Sequence, residues 1–233
     1  MTAPDPPEVI SPLVVVRDAA RTFGHGRTAV VALHGVTCDI LPCQSIAITG
    51  PSGSGKSTLL HLIAGLDLPT RGTVSWPALG DRRSLRPGPV GVVFQMPSLI
   101  PALDVIENVA LPLLLAGRLA PDATERADHA LEQLDLGHLA TRLPEELSGG
   151  QAQRVAVARV LAGTPRLILA DEPTGQLDHL AGRTVIDALL HAAKTLGAAI
   201  VVSTHDPDVA RRLDESWPMS DGCLERAGYA CSA

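Results

Sequence analysis

The sequence predicts an α/β fold with a mainly parallel sheet, an N-terminal antiparallel β flank and an inserted α-helical subdomain. Three observations carry this. Short apolar runs of strand length alternate with stretches of helical periodicity, the pattern of a parallel sheet. One run, 45–49, feeds directly into a glycine-rich loop and then into a helical face of Leu59, Leu60, Leu62 and Ile63 that stops at Gly65. The stretch 97–163 carries only helical patterning, so it reads as an insertion into the sheet domain.

Each element follows in order. Residues 13–16 and 30–41 read as strands of the antiparallel flank. Residues 76–89 are dense in Pro and Gly and read as a loop, and 90–94 as a buried strand. Helices are expected over 104–117 and 122–136, the second with Ala127, Ala130, Leu131 and Leu134 on one face. Ser148 opens a further helix through Leu161. A strand over 167–170 ends in Asp171-Glu172, a helix follows over 180–196, and a strand over 198–203 ends at Thr204-His205. A short helix is expected over 208–213. Residues 1–10 read as a disordered tail and 228–233 as a C-terminal tail. Between them lies one domain over 11–227, its core formed by 11–96 and 164–227 and its helical subdomain by about 97–163.

Composition narrows the function classes. The 233 residues carry a formal net charge of −6 and only 2% aromatic residues. A surface that stacks bases on rows of rings is excluded, and the acidic balance argues against a nucleic-acid partner. Of the 19 basic residues only Lys56 and Lys194 are lysine, so a lysine in a motif stands out. No run reaches the roughly 18 apolar residues of a membrane helix, and the N-terminus lacks a secretory signal pattern. The four cysteines, Cys38, Cys43, Cys223 and Cys231, form no Cys-x-x-Cys pair and are expected as free thiols.

Three motifs carry chemistry. The first is Gly50-Pro51-Ser52-Gly53-Ser54-Gly55-Lys56-Ser57-Thr58, a P-loop between strand and helix. Its glycines let backbone N–H groups converge on phosphate oxygens, and the following helix adds its positive end. Lys56 reaches the β- and γ-phosphates, and the Ser57 hydroxyl suits Mg²⁺. The second is the apolar run 167–170, which delivers Asp171 and Glu172 at a strand's C-terminal edge. Asp171 is expected to hold Mg²⁺ and Glu172 to polarise the attacking water. The third, Leu147-Ser148-Gly149-Gly150-Gln151, places an N-cap serine and two glycines at a helix start. It is a second phosphate-binding helix end, far in sequence from the first. The economical arrangement has each loop serving a nucleotide held by the opposite subunit.

With these motifs in this order, the sequence resembles the ATPase subunits of ATP-binding cassette transporters from about Leu13 to Glu225, a P-loop NTPase core. The resemblance also takes in Gln95 after the 90–94 strand, Leu177-Asp178, and His205 after the last core strand. It implies a head-to-tail dimer, formed with a second copy or a paralogous subunit, that sandwiches two ATP molecules and drives a separate membrane permease. It places the chain in the cytoplasm, peripheral on the inner face of the membrane. Gln95 is implied to bind Mg²⁺ or the lytic water, Asp178 to contact the other subunit's P-loop, and His205 to reach the γ-phosphate. Phe23 is implied to stack on adenine. Met96, Leu99, Ile100 and Leu103 are candidates for the permease groove, with core packing an equal alternative. The finer pattern 171–178, together with Glu107-Asn108-Val109-Ala110-Leu111-Pro112, resembles the branch serving lipoprotein release, macrolide export and cell division. Gln176 stands where that branch usually has Asn, and the segment 73–89 is shorter and richer in Pro and Gly than the family's. A soluble cassette ATPase without a transporter, or an ATP-dependent regulator with little turnover, remains the alternative reading.

Overall fold

The computed structural model describes residues 11–225; the expected tails and residues 226–227 lie outside the described residues. In chain order the strands are β1 (Val14–Phe23), β2 (Val30–Ile40), β3 (Ser45–Thr49), β4 (Arg71–Ser75), β5 (Val90–Val93), β6 (Leu167–Asp171), β7 (Ala199–Thr204), β8 (Glu215–Ser220) and β9 (Cys223–Leu224). The α-helices are α1 (Lys56–Ile63), α2 (Val105–Leu115), α3 (Ala120–Glu132), α4 (Gly149–Leu161), α5 (His179–Leu196) and α6 (Pro207–Ala210).

Two sheets form. An antiparallel sheet has the order β2-β1-β4, and a larger sheet has the order β5-β6-β7-β3-β8-β9, parallel except for the β8–β9 pair. The central strands are apolar on both faces because both faces are covered, as parallel sheets require. Their two-residue period sorts side chains into two cores. Ile168, Ala170, Ile200 and Val202 join the cluster built with α2 to α5. Leu167, Leu169, Ala199 and Val201 join the cluster built with α1 and the antiparallel sheet. The helical stretch therefore shares one continuous core with the sheet: Val109, Leu113, Leu131 and Val155 all belong to the first cluster.

Caps set the helix starts. Asp104 accepts the Glu107 N–H at 2.9 Å while the Glu107 carboxylate accepts the Asp104 N–H at 3.0 Å, a reciprocal capping box. Pro121 in the first turn of α3 replaces the expected start at Asp122, so the helix begins at Ala120 and ends at Glu132 rather than running on to residue 136. Other expectations also change. β1 runs on to Phe23 because it pairs on both sides, with β2 and β4, and bulges near Asp18, whose φ is 47°. β4, β8 and β9 were not expected. β5 stops at Val93, so Phe94 is only partly buried. α6 covers four residues. Cys38 and Cys43 are in no disulfide, as expected, but Cys223 is disulfide-bonded. The free-thiol expectation rested on spacing, which tests for metal and redox motifs but not for a cross-link at a hairpin. Cys231 lies outside the described residues. Among the described residues no helix is long and apolar enough to cross a membrane.

The loop between β5 and α2 is tied down by one buried side chain. Asn108 is fully buried. Its amide donates to the carbonyls of Ile100 at 3.1 Å, Leu103 at 2.9 Å and Asp104 at 3.0 Å, and its oxygen accepts the Ile100 N–H at 2.7 Å. Removing it leaves the Ile100 N–H and the Leu103 carbonyl without this partner, and each polar group left unpaired costs about 1–3 kcal/mol. Asn108→Ala is expected to destabilise the chain by about 3 kcal/mol. Calorimetry should show Tm lowered by about 6–12 °C, and a change below about 2 °C would contradict this role.

Candidate functional site

The register of the large sheet assembles the site. Thr49 pairs with Thr204, Asp171 with Ser203, and Val93 with Ala170. The P-loop after β3, Asp171-Glu172 after β6, His205 after β7 and Gln95 after β5 therefore leave one sheet edge within about a residue of each other, the edge where open α/β sheets bind ligands.

The P-loop wraps tightly against the rest of the domain. A Cβ on Gly50 would collide with the Met219 carbonyl oxygen, and one on Gly55 would lie 2.5 Å from the Ala32 carbonyl oxygen. Gly55, at φ 99°, is the N-cap of α1, so its left-handed backbone turns the loop into the helix. The Gly222 N–H donates to the Ser54 carbonyl at 3.0 Å and the His34 N–H donates to the Gly222 carbonyl at 2.9 Å. The β8–β9 turn thus stitches the P-loop to β2. Ser54 is buried inside this wrap, while Pro51, Ser52, Gly53 and Ser57 are exposed at the loop's mouth and Thr58 is half-buried.

Lys56 is 3% exposed. Its ammonium donates to the carbonyls of Gly50 and Pro51, both at 2.9 Å, and lies 3.3 Å from Glu172 Oε1. The other Glu172 oxygen lies 3.3 Å from His205 Nδ1. Glu172 has φ 42°, a left-handed conformation that costs a non-glycine residue about 1–2 kcal/mol. Such strain persists where surrounding contacts impose it. Here the Glu172 N–H is shared between the Ser203 carbonyl at 3.1 Å and the Ser203 hydroxyl at 3.0 Å.

Asp171 Oδ1 accepts from Ser57 Oγ at 2.9 Å and from Ser203 Oγ at 2.6 Å. A carboxylate and a hydroxyl this close supply oxygen donors suited to a hard divalent cation at a phosphate. The Gln95 amide nitrogen and Glu172 Oε2 both lie over Gly175, 3.1 and 3.6 Å from the position a Cβ would take there. Glu172, Thr174, Asp178 and His205 line one cleft of about 640 Å³.

The signature faces elsewhere. Ser148 caps α4, accepting the Gln151 N–H at 3.3 Å, and the Gln151 side chain accepts the Ser148 N–H at 2.8 Å. Leu147 is packed against the core, while Ser148 and Gly149 are exposed. A Cβ on Gly149 would meet Leu177 at 3.5 Å and one on Gly150 would meet Ala181 at 3.0 Å. The structure therefore sets the signature against the start of α5, where Asp178 caps the helix by accepting the Ala181 N–H at 2.9 Å.

Phe23 ends β1 with 42% of its surface exposed, and the Arg21 guanidinium sits 4.6 Å from its ring centroid. Arg21 is held in turn by Asp67 at 2.8 Å. Phe94, the other phenylalanine, makes an edge contact with His61.

Sequence reasoning missed residues that position others. Gln153, buried on α4, donates to the Phe94 carbonyl at 2.9 Å. Arg159 donates to the carbonyls of Pro97 at 2.8 Å and Ser98 at 3.0 Å, and burial pulls its guanidinium below the usual arginine range. Both hold the Gln95 loop from about 60 residues away. Only the polarity of an otherwise apolar helix face could have flagged them.

Residues 33–175 match the family model described as "ABC transporter". The lipoprotein-releasing system ATP-binding protein LolD of Legionella pneumophila (strain Lens) is 43% identical over 211 residues, covering 88% of this chain and 93% of that protein. LolD 2 of Caulobacter vibrioides is 40% identical, covering 92% and 97%. A dimeric post-hydrolysis structure of the ATP-binding cassette MJ0796, bound to ADP and Pi, superposes with a TM-score of 0.82 at 38% identity, covering 91% of this chain and 97% of that one. The cbiO1 subunit from Clostridium perfringens, part of the transporter complex cbiONQ, gives 0.80 at 28% identity, covering 92% and 87%. The chain belongs to the ABC transporter family and is one of its ATP-hydrolysing cassette subunits.

Proposed function

We propose that this cassette powers a separate permease of the lipoprotein-releasing type, and that each ATP is enclosed by the P-loop of one copy and the signature of another. The observation that carries the chemistry is the Glu172 carboxylate, held 3.3 Å from both Lys56 and His205 at the edge of β6. Lys56 binds the β- and γ-phosphates, and the P-loop amides hold their oxygens. Glu172 orients a water and accepts its proton. The water oxygen bonds to the γ-phosphorus while the bond to the β–γ bridging oxygen breaks, and ADP leaves with that electron pair. His205 donates a hydrogen bond to the γ-phosphate as charge builds on it. Ser57 and Asp171, with Gln95, would hold Mg²⁺, which when bound withdraws charge from the phosphate oxygens. Phe23 offers its ring to adenine.

The dimer reading is supported by the orientation of the signature. The Gly149 and Gly150 N–H groups in the first turn of α4 lack intrahelical acceptors, and a nucleotide on them would come from a second copy or a paralogous subunit. Asp178 lies beside this surface and would meet the other subunit's P-loop. Met96 and Ile100, 62% and 40% exposed beside Gln95, fit contact with a permease. The helical unit 97–163 carries that contact and places the chain at the membrane's inner face, as a peripheral subunit. The LolD relatives support lipoproteins as the cargo.

Three outcomes are expected. Glu172→Gln should bind ATP normally, lose at least about 10²-fold in turnover, the scale of losing one transition-state group, and accumulate as a dimer in ATP by size-exclusion chromatography; unchanged turnover would remove Glu172 from this role. Phe23→Ala should raise the Kd for ATP by about 5–10-fold, the low end of base-stacking energies, and an unchanged Kd in calorimetric titration would leave adenine without its platform. Reconstituted with its permease in nanodiscs, the complex should hydrolyse ATP faster when a lipoprotein is added; no response to lipoprotein would exclude that cargo.

A further inference from the structure

β7 is buried along its whole length, yet it ends in two hydroxyls. Thr204 accepts the Asp206 N–H at 3.0 Å and so shapes the turn after the strand. Ser203, fully buried, sits opposite Asp171 in the parallel ladder. Its partners leave one arrangement of its single proton. An ionised carboxylate only accepts and a backbone N–H only donates. The Ser203 hydroxyl therefore donates to Asp171 Oδ1 at 2.6 Å and accepts the Glu172 N–H at 3.0 Å.

This places one hydroxyl between the two adjacent carboxylate residues. Asp171 Oδ1 has two hydroxyl donors, Ser57 and Ser203. Ser57 is exposed at the mouth of the P-loop, where its oxygen is needed by the cation, whereas Ser203 is buried in the sheet. Ser203 is thus the donor that keeps the Asp171 carboxylate oriented when Ser57 turns to its own ligand. The same oxygen is a second acceptor for the N–H of Glu172, the residue whose left-handed φ aims its carboxylate between Lys56 and His205.

We infer that Ser203 is a positioning residue for ATP hydrolysis, its hydroxyl coupling the orientation of the Asp171 carboxylate to the backbone turn that aims Glu172. The inference rests on the roles proposed above for Asp171 and Glu172. Groups that orient a metal-holding carboxylate are typically worth about 10–100-fold in metal affinity or activity. Displacing a reacting group by about 1 Å costs a similar factor.

The test uses two variants of equal shape. Ser203→Thr keeps the hydroxyl, and Ser203→Val presents the same branched volume without it. Ser203→Ala removes the hydroxyl without adding bulk. For each, kcat and KM for ATP are measured, together with the Mg²⁺ concentration that half-saturates binding of a fluorescent ATP analogue, and Tm. Ser203→Thr should stay within about threefold of the wild-type kcat. Ser203→Val and Ser203→Ala should lose about 10-fold or more in kcat with KM for ATP within about threefold, and should need about 10-fold more Mg²⁺ for half-saturation. Equal losses in the Thr and Val variants would make Ser203 a packing residue and overturn the inference. If the added methyl lowers Tm in both, the Ala variant decides: wild-type kcat or unshifted Mg²⁺ half-saturation in it overturns the inference. Glu172→Gln runs in parallel. If it still turns over, the underlying assignment fails; if it is inactive while Ser203→Ala is fully active, only the role of Ser203 fails.

Discussion

The in-register parallel ladder through β6, β7 and β3 is the constraint on which the nucleotide end of the molecule depends. It brings three chemically different chain segments off the sheet at one level: the P-loop, the Asp171-Glu172 pair and His205. Side chains alternate faces along each strand, so a slip of one residue would exchange every side chain between the two cores. Ile168 and Ala170 would leave the helix-covered face, and Leu167 and Leu169 would leave the face under α1. A slip along β6 would also carry Asp171 toward an apolar layer, at the cost of burying a charge without its hydroxyl donors. Burial on both faces thus fixes the position of the carboxylates. The 3.3 Å contacts of Glu172 with Lys56 and His205 are consequences of that register.

The same physics explains what could be read from the sequence. β3, β6 and β7 are compact apolar runs ending in motif residues, and their limits were legible to within about a residue because burial alone defines them. α4 was legible at its start because Ser148 caps it through its own local hydrogen bonds. β4 and β8 were not. Arg71-Gly72-Thr73-Val74-Ser75 is largely exposed, and Glu215–Ser220 contains Pro218, which argues against a strand when read locally. Each exists because a distant partner, β1 or β3, supplies its hydrogen bonds. The candidate site divides similarly. Glycine and cap positions that serve phosphates are set by neighbours in sequence and stood out. Gln153, Arg159 and Ser203 act on residues about 30 to 60 positions away, and their immediate sequence carries no motif that points to those partners.

The signature shows one set of small residues meeting two demands. Gly149 and Gly150 leave the backbone at the start of α4 uncovered, which is what an anion on a helix N-terminus needs. The same absence of side chains lets Leu177 and Ala181 close against them, with a hypothetical Cβ on Gly150 already at 3.0 Å from Ala181. Ser148 contributes its side chain to capping, so its Gln151 partner and the glycine amides hold a defined shape before anything binds. Since Asp178 caps α5 immediately beside this contact, the signature and the Asp178 turn form one preorganised surface. The P-loop, by contrast, is wrapped by β2 and the β8–β9 turn. The two loops proposed to bind phosphate, built on separate supports within one chain, suit two chains better than one.

The Gln95 loop links the helical stretch to the carboxylates. Gln153 and Arg159 on α4 grip the carbonyls of Phe94, Pro97 and Ser98, and Asn108 on α2 grips those of Ile100, Leu103 and Asp104. Six anchored carbonyls between Phe94 and Asp104, in a loop that also exposes Met96 and Ile100, leave it little freedom to move independently of α2 and α4. At its other end the Gln95 amide lies over Gly175 beside Glu172. A load applied at Met96 would therefore be passed to Gln95 beside Glu172, because the carbonyls on both sides of Met96 are held by Gln153 and Arg159. In the proposed transporter the permease contact and the water-aligning carboxylate are accordingly separated by one braced loop.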